Sequence, residues 1–294
     1  MLNSQAVRVG FVTQLLWHRY GPFWQQLAEA AGAETVLPTL EGVQGALRDA
    51  AVQAVPGAAF RLAAAQAVSL AEDVDLLVVP KLIRESDVSR GAGQDPWIAD
   101  FGGALRSTVP GLPPFTAVQA DLDPGVESAA VAFLQGLTRE AVQVGRIWGR
   151  VRTQAKPYRP APVTWNYRPG ELATVALLGQ PWLLNDELAA AVAGEGEHVV
   201  SQHRLDPQEL REEGHRADPQ LVDSDAEVLG AARLAARRSA VSRLRLIVDA
   251  GAGSDAWLAR RVEKTVHKAV QVISLQDALA DRDAVDTLSN LQLD

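Results

Sequence analysis

VRVGFVTQLLWHRYGPFWQQLAEAAGAETVLP, residues 7–38, is the stretch that decides the fold. It opens with an apolar segment, residues 7–13, which predicts a buried strand. The aromatic and basic residues 17–21 then predict a turn. A helix is expected from about Pro22 to Ala31, followed by a short apolar segment that predicts the next strand. A strand, a turn, a helix and a second strand in this order form the unit that builds parallel sheets.

The same plan returns in the second half of the chain. Residues 172–200, LATVALLGQPWLLNDELAAAVAGEGEHVV, again predict a strand, an aromatic turn, a helix and a strand. Residues 154–170, QAKPYRPAPVTWNYRPG, contain four prolines and lack helical or strand periodicity, so they predict a linker. We therefore predict an α/β protein with two Rossmann-like lobes, residues 1–153 and 171–294. Their sheets should be mostly parallel, with a cleft between the lobes.

Composition narrows the classes of function. The chain has 294 residues and a formal net charge of −8, which disfavours nucleic acid and anionic membranes as partners. No apolar run reaches the roughly 20 residues needed to cross a bilayer, and the N-terminus does not resemble a signal peptide. A cytoplasmic protein is therefore expected. The chain contains no cysteine, which excludes disulfides, zinc–thiolate sites, a cysteine nucleophile and cysteine-ligated iron–sulfur clusters.

Candidate ligand-binding residues follow predicted strands, because open α/β sheets place ligands at the carboxyl ends of their strands. Lys81 follows the predicted strand at residues 74–80. Two aromatic turns, one around Tyr20 and one around Trp182, project from strand ends in the two halves, where a cleft would lie. His18 lies in the first of these turns, where both a solvated position and a ligand contact are open to it.

Other site types receive weaker support. The five histidines show no pairing at helical spacing, so we expect no metal site, and no G-x-S-x-G elbow indicates a hydrolase. Gly251, Gly253 and Ala256 spell G-x-G-x-x-A between a predicted strand and a predicted helix that Ser254 or Asp255 would cap. A structural glycine turn is the preferred interpretation, and dinucleotide binding through Gly251 and Gly253 is kept as an alternative.

The motifs taken together resemble the 2-hydroxyacyl-CoA dehydratase superfamily, most closely the domain associated with CoA enzyme activases. The likeness covers most of the chain. Residues 7–38 are similar to the first strand, helix and second strand of that family, and DVDLLVVP, residues 73–80, is similar to its strand ending in proline. LLGQPWLLND, residues 177–186, resembles its Gly-Arg-Pro-Tyr turn. AGAGSD, residues 250–255, resembles its Gly-Cys-Gly-Pro-Asp turn.

The resemblance implies a lost cofactor. In that family, cysteines from three such turns hold a [4Fe–4S] cluster, and the corresponding positions here are Ala54, Asp95 and Ala252. Alanine cannot ligate iron, and one aspartate cannot replace three thiolates. No iron–sulfur cluster and no other cofactor is therefore expected. The fold implied by the family is retained in this prediction, and its radical dehydration chemistry is not.

The leading hypothesis is a non-catalytic small-ligand-binding or accessory protein that uses the cleft between the lobes. Lys81 and Arg19 would bind phosphate or carboxylate, while Tyr20 and Trp182 would stack on a ring. The partner would be a small anionic or CoA-type ligand, or a second subunit in a homodimer or a heterodimer with a related chain. The predicted ligand-binding residues are His18, Arg19, Tyr20, Lys81, Asp95, Trp182, Asn185 and Asp255.

A second hypothesis is an enzyme that performs acid–base chemistry in the same cleft. His18, Asp95 and Asp255 would be its catalytic residues, in place of redox chemistry. This hypothesis requires a carboxylate of raised pKa and requires the three side chains to lie close together.

Overall fold

The structure is a computed structural model that contains two sheets, each of four parallel strands. It describes residues 6–83, 95–122, 125–138, 140–161, 163 and 173–278, apart from the side chain of Glu187. The first sheet contains β1 (Arg8–Phe11), β2 (Glu34–Val36), β3 (Leu76–Lys81) and β4 (Phe115–Gln119), in the order β2-β1-β3-β4. The second contains β5 (Ala173–Leu178), β6 (Glu197–Ser201), β7 (Val241–Val248) and β8 (Val270–Ser274), in the order β6-β5-β7-β8.

The two sheets share one strand order, so the predicted repetition of a single plan is confirmed, as is the α/β class with two Rossmann-like lobes. The central strands β3 and β5 are apolar along nearly their whole length because helices cover both faces of a parallel sheet. In β3, residues 77–80 are all buried, and in β5 residues 174–178 are. In sequence, the strands of the first sheet precede the predicted linker and the strands of the second sheet follow it. Its described residues 155–161 and 163 contain neither helix nor strand, and the remainder lies outside the described residues.

Helices connect the strands. They are α1 (Trp17–Ala30), α2 (Leu40–Ala46), α3 (Ala50–Gln53), α4 (Ala58–Leu70), α5 (Pro96–Ala99), α6 (Phe101–Thr108), α7 (Val126–Leu137), α8 (Ala141–Val151), α9 (Asp186–Ala191), α10 (Pro207–Ala217), α11 (Asp223–Ala236), α12 (Gly253–Thr265) and α13 (Leu275–Ala278). In the described part of the chain, no helix combines the length and the apolar character needed to span a membrane.

The first helix begins five residues earlier than the sequence pattern indicates. Leu15 and Leu16 have positive φ angles of 66° and 74°, and both are buried. These two left-handed residues reverse the chain abruptly after β1, so that α1 starts at Trp17. The prediction that residues 17–21 form a loop is therefore wrong: they are the first turn of the helix. Left-handed backbone is rare for leucine, so local sequence rules do not anticipate it.

The hydrophobic core of the first lobe extends into the second lobe. The core of the first lobe continues into the second through Leu177, Trp182 and Leu184 near the end of β5, and through Ile247 in β7. Trp182 packs against Trp97 of the first lobe, with ring centroids 5.8 Å apart. A second cluster of buried residues lies within the second lobe between β7 and helices α10, α11 and α12. Apolar side chains therefore fill much of the contact between the lobes.

Candidate functional site

The residues that follow β3, β5 and β7 meet at the interface between the lobes. Asp95 follows β3 and binds the start of α12, while Asp249 directly follows β7 and binds the start of α4. The carboxyl ends of the two sheets thus face each other, as expected for paired Rossmann-like lobes. Two groups of polar residues lie at this interface, which we call the capping junction and the histidine crevice.

The capping junction consists of Asp95, Asp249 and the first turns of α4 and α12. Oδ2 of Asp249 accepts the backbone N–H of Ala58 at 2.5 Å. Oδ1 of Asp95 accepts the backbone N–H of Gly253 at 3.1 Å, and its Oδ2 accepts the hydroxyl of Ser254 at 3.3 Å. Each lobe therefore caps a helix of the other, because carboxylates satisfy the unpaired N–H groups of a helix start. Asp95 is the N-cap residue of α5, yet its side chain makes no capping hydrogen bond to that helix.

The three turns that carry Ala54, Asp95 and Ala252, the positions at which the resembled family has its cluster cysteines, converge at this junction. A Cβ atom added to Gly251 would lie 2.6 Å from the backbone nitrogen of Gly57, so the turns after Ala54 and around Ala252 are in close contact. Asp95 joins them through its bond to Gly253. Ala54 is exposed, while Asp95 and Ala252 are partly exposed. Carboxylate–backbone hydrogen bonds hold these three turns together, and these bonds need no cofactor.

These same bonds occupy the donors that dinucleotide binding would require. The N–H of Gly253 donates to Asp95, and the N–H of Gly251 donates to Oδ1 of Asp249 at 2.9 Å. A pyrophosphate at the start of α12 would have to displace one carboxylate and would be repelled by both. The geometry therefore gives the dinucleotide alternative no support.

Two buried carboxyl groups lie beside the junction. Burial raises the pKa of Asp255 to about 7, and the negative charges of Asp249, Asp225 and Asp95 add to the effect. Burial raises the pKa of Asp225 to about 6, although the amide of Gln180 donates to its Oδ1 at 2.8 Å. Oδ2 of Asp255 accepts the backbone N–H of Asp249 at 2.8 Å, whereas its Oδ1 finds no partner among the described residues. Both groups lower the stability of the fold when they ionise.

We expect Asp255→Asn to stabilise the protein at pH 8 by about 2–4 kcal/mol and to have little effect near pH 4. The unfolded aspartate ionises near pH 4, but the folded one ionises near pH 7. Between these values the unfolded state loses its proton first, so stability falls as pH rises, and asparagine removes this loss while keeping the acceptor oxygen. Urea unfolding of both proteins at pH 4.5 and pH 8 measures the difference. An equal gain in stability at both pH values would contradict the raised pKa of Asp255.

The histidine crevice lies where α1, residue 158 and the turn after β6 approach one another. The ring of His18 meets the ring of Tyr158 edge to face, with centroids 5.0 Å apart. His18 is accessible to solvent, yet its pKa is lowered to about 3 because surrounding protein displaces water and because Arg19 and His203 lie nearby. The ring is therefore uncharged at neutral pH.

A chain of hydrogen bonds runs through the second-lobe side of the crevice. Ser201 Oγ lies 2.8 Å from Nδ1 of His203, whose Nε2 lies 2.9 Å from Oδ1 of Asp186. Arg204 donates to the same oxygen at 2.7 Å, and this bond lowers the pKa of Asp186. Burial lowers the pKa of His203, so the ring is neutral at pH 7. Because the ionised Asp186 only accepts, Nε2 carries the proton, and Nδ1 accepts from Ser201.

Three side chains that precede or neighbour members of this chain each have a buried donor that finds no acceptor among the described residues. These donors are Nε of Arg19, Nδ2 of Asn185 and Nε2 of Gln202. Asn185 and Gln202 each directly precede a member of the hydrogen-bonded chain, Asp186 and His203. Arg19 lies close enough to influence the charge of His18, Tyr158 and His203. Buried donors in folded proteins are nearly always paired, so each of these three lacks a partner that a folded chain ordinarily supplies.

The predicted ligand-binding residues thus divide between different environments. His18 lies in the crevice near Arg19, which also binds Glu227, whereas Asn185, the neighbour of Asp186 in sequence, caps α9 by accepting the N–H of Leu188 at 2.8 Å. Asp95 and Asp255 lie at the capping junction. The other three are placed elsewhere: Tyr20 is buried and donates to the carbonyl of Val12, Trp182 is packed in the core, and Lys81 is half-buried at the end of β3.

The acid–base hypothesis required His18 to lie near Asp95 and Asp255. The contacts that the structure records for His18 involve Tyr158, Arg19 and His203, and those for the two carboxylates involve the start of α12 and the end of β7. Asp255 has the raised pKa that this hypothesis expects, but the geometry does not join it to a histidine. Within the described residues, no three histidine, aspartate or glutamate side chains converge as metal ligands.

Sequence reasoning missed Tyr158, Gln202 and His203 of the crevice. The sequence did carry a signal for Gln202 and His203, because they follow closely on the second strand predicted within residues 172–200 and therefore stand near the carboxyl end of that strand. Tyr158 carries no such signal, since it lies in the proline-rich linker and reaches the crevice only through the path of the folded chain.

Comparisons with known proteins add little to this geometry. No protein-family model matches the chain, and no curated protein matches it. One solved structure that matches is the crystal structure of the glycosyltransferase SnogD from Streptomyces nogalater. It is 13% identical, and the match covers 96% of this chain and 85% of that chain with a TM-score of 0.21. A similarity this weak carries no argument about activity, and the assignment of the fold rests on the two parallel sheets described above.

Proposed function

We propose that this chain is a small-ligand-binding or accessory protein without catalytic activity, a relative of the 2-hydroxyacyl-CoA dehydratases and CoA activases that lacks their cluster. The ligand binds at the histidine crevice between the lobes. The observation that carries the proposal is the set of three buried donors, on Arg19, Asn185 and Gln202, which find no acceptor among the described residues. A ligand that supplies an acceptor would remove the cost of leaving them unpaired.

The capping junction supports the absence of a cluster. The chain has no cysteine, and the three turns that would hold the cluster are joined to one another by Asp95 and Asp249. Their glycines retain the close backbone approach, seen between Gly57 and Gly251. In this proposal the carboxylates took over the structural role of the cofactor, and the binding function lies in the crevice.

The proposal has two forms. In the first, the protein binds a CoA-type or anionic ligand, and in the second it pairs with another subunit. Ligand binding is favoured over subunit pairing because the unpaired donors are buried side-chain atoms within the chain. A protein surface that docks a partner would instead be expected to present accessible groups.

Native mass spectrometry of the gently purified protein tests the proposal. We expect the wild type to retain a small molecule, and we expect Asn185→Asp to lose it. Aspartate caps a helix as well as asparagine does, so α9 should remain intact, while an oxygen replaces the donor Nδ2. The matched control is Ala191→Asp, which adds the same charge at the exposed end of α9 and should keep the ligand. A bare chain bound to a second polypeptide would favour the accessory form, and a bare monomer would contradict both.

A further inference from the structure

A cavity of about 280 Å³ is formed by α9, β6 and the turn that follows β6. Its volume is close to the lower end of the range for small-molecule sites, about 300–1,000 Å³, so it suits a small ligand. Most of the residues that line the cavity are aliphatic, namely Val163, Ala189, Ala190, Ala193, Val199 and Val200. Because apolar surface gains free energy on burial, this lining favours a ligand with a short apolar side chain.

The other residues that line the cavity are polar, and two of them, Asp186 and Arg204, form an ion pair. Nε of Arg204 donates to Oδ1 of Asp186 at 2.7 Å, and Nε2 of His203 lies 2.9 Å from the same oxygen. The side chains of Arg204 and Asp186 are 56% and 63% exposed. Within the described residues, the side-chain bonds recorded for the pair use only Nε and Oδ1. Oδ2 of Asp186 and the terminal nitrogens of Arg204 are therefore left for a ligand.

The ion pair places one negative and one positive group at the same cavity. The pKa of Asp186 is lowered because Arg204 donates to it, so the carboxylate is ionised at neutral pH. His203 adds no charge, because burial lowers its pKa. A ligand with only a carboxylate would be repelled by Asp186, and a ligand with only an ammonium group would be repelled by Arg204. A ligand that carries both groups on one carbon atom complements both side chains at once.

We propose that this cavity binds an aliphatic α-amino acid. Its ammonium group donates to Oδ2 of Asp186, its carboxylate accepts from the terminal nitrogens of Arg204, and its side chain lies against the alanine and valine residues. The site uses none of the unpaired donors on Arg19, Asn185 and Gln202 that carry the proposed function. The inference therefore goes beyond that function and is tested separately from it.

Titrations of the full chain followed by NMR test the inference with norvaline, pentanoate, butylamine and alanine. Pentanoate lacks the ammonium group of norvaline, and butylamine lacks its carboxylate. We expect each of them to bind about tenfold more weakly than norvaline, because each loses one charge-assisted hydrogen bond and meets one like charge. Alanine should bind about 15-fold more weakly, since it lacks two methylenes that contribute about 0.8 kcal/mol each. Pentanoate or butylamine binding as tightly as norvaline would overturn the inference.

The variant Asp186→Asn tests the position of the ammonium group. Asparagine keeps the side-chain oxygen that accepts from Arg204 and His203 but removes the negative charge. We expect it to weaken norvaline binding about tenfold and to strengthen pentanoate binding, because the repulsion between two carboxylates is removed. Equal weakening of both probes would overturn the assignment of the ammonium group to Asp186.

Two variants on α9 test the position of the aliphatic side chain. Ala190→Leu should fill part of the cavity and abolish the preference for norvaline over alanine. Ala191→Leu is the matched control, because Ala191 is exposed on the same helix and is not among the residues that line the cavity, and it should keep that preference. An unchanged preference in Ala190→Leu, or the failure of all four probes to bind, would overturn the inference. The proposed function is decided independently by the native mass spectra of the wild type and Asn185→Asp.

Discussion

Glu227→Gln is expected to lower the free energy of unfolding by about 3–5 kcal/mol. The carboxylate binds both terminal nitrogens of Arg19, at 2.9 and 2.8 Å, and the two side chains are only 3% and 4% exposed. Arg211 approaches the same carboxylate at 3.8 Å. Glutamine keeps the shape but leaves the buried guanidinium without a counterion, and an unpaired buried charge is costly.

The double variant Arg19→Met with Glu227→Leu separates the energy of the ion pair from the effect of each side chain on its other neighbours. Replacing both charges by apolar groups of similar size removes the desolvation penalty, so most of the lost stability should return. Urea unfolding of the wild type, Arg19→Met, Glu227→Leu and the double variant gives the four free energies of this double-mutant cycle. Glu209→Gln on the exposed face of α10 is the control and should stay within about 0.5 kcal/mol of the wild type. A double variant as unstable as the sum of the two single ones would contradict the coupling.

This ion pair also shows why the sequence predicts the fold better than the contacts between the lobes. Strand periodicity and the repeated plan depend on residues close in the chain, and they correctly indicated two parallel sheets. Arg19 and Glu227 are separated by 208 positions, and nothing local to either residue identifies its partner. Asp95 illustrates the same limit: it stands where a cap for α5 is expected but binds Gly253 on α12, 158 positions away.

The candidate site was partly predictable for the same physical reason. Ligand-binding residues of parallel sheets follow their strands, and this rule selected His18 and Arg19 at the crevice and Asn185 directly before Asp186 of its hydrogen-bonded chain. The rule does not distinguish a side chain that faces a crevice from one that packs inward. Tyr20 and Trp182 satisfy it equally well, yet both are buried, because the left-handed turn before α1 and the contact with Trp97 direct them into the core.

The second large effect is expected in the contact between α10 and α11. A Cβ atom on Gly230 would lie 1.9 Å from the carbonyl oxygen of Leu210, and one on Gly214 would lie 2.0 Å from the carbonyl oxygen of Ala226. Both obstructing atoms belong to the backbone, so no side-chain rotation can relieve the overlap, and the two helices must separate. Gly230→Ala is therefore expected to lower the free energy of unfolding by about 3 kcal/mol or more.

The sign of this effect makes the prediction specific, because alanine in place of a helical glycine ordinarily stabilises a protein by about 0.5–1 kcal/mol. Gly145 in α8 is the matched control: it is exposed, and a Cβ added there meets nothing within 4 Å. We expect Gly145→Ala to raise the free energy of unfolding, and Gly230→Ala to lower it, in the same urea titration. Stabilisation by both substitutions would show that α10 and α11 do not approach as closely as these glycines permit. The close approach also positions Glu227, which lies on α11 one turn before Gly230, so the two large effects probe the same helix.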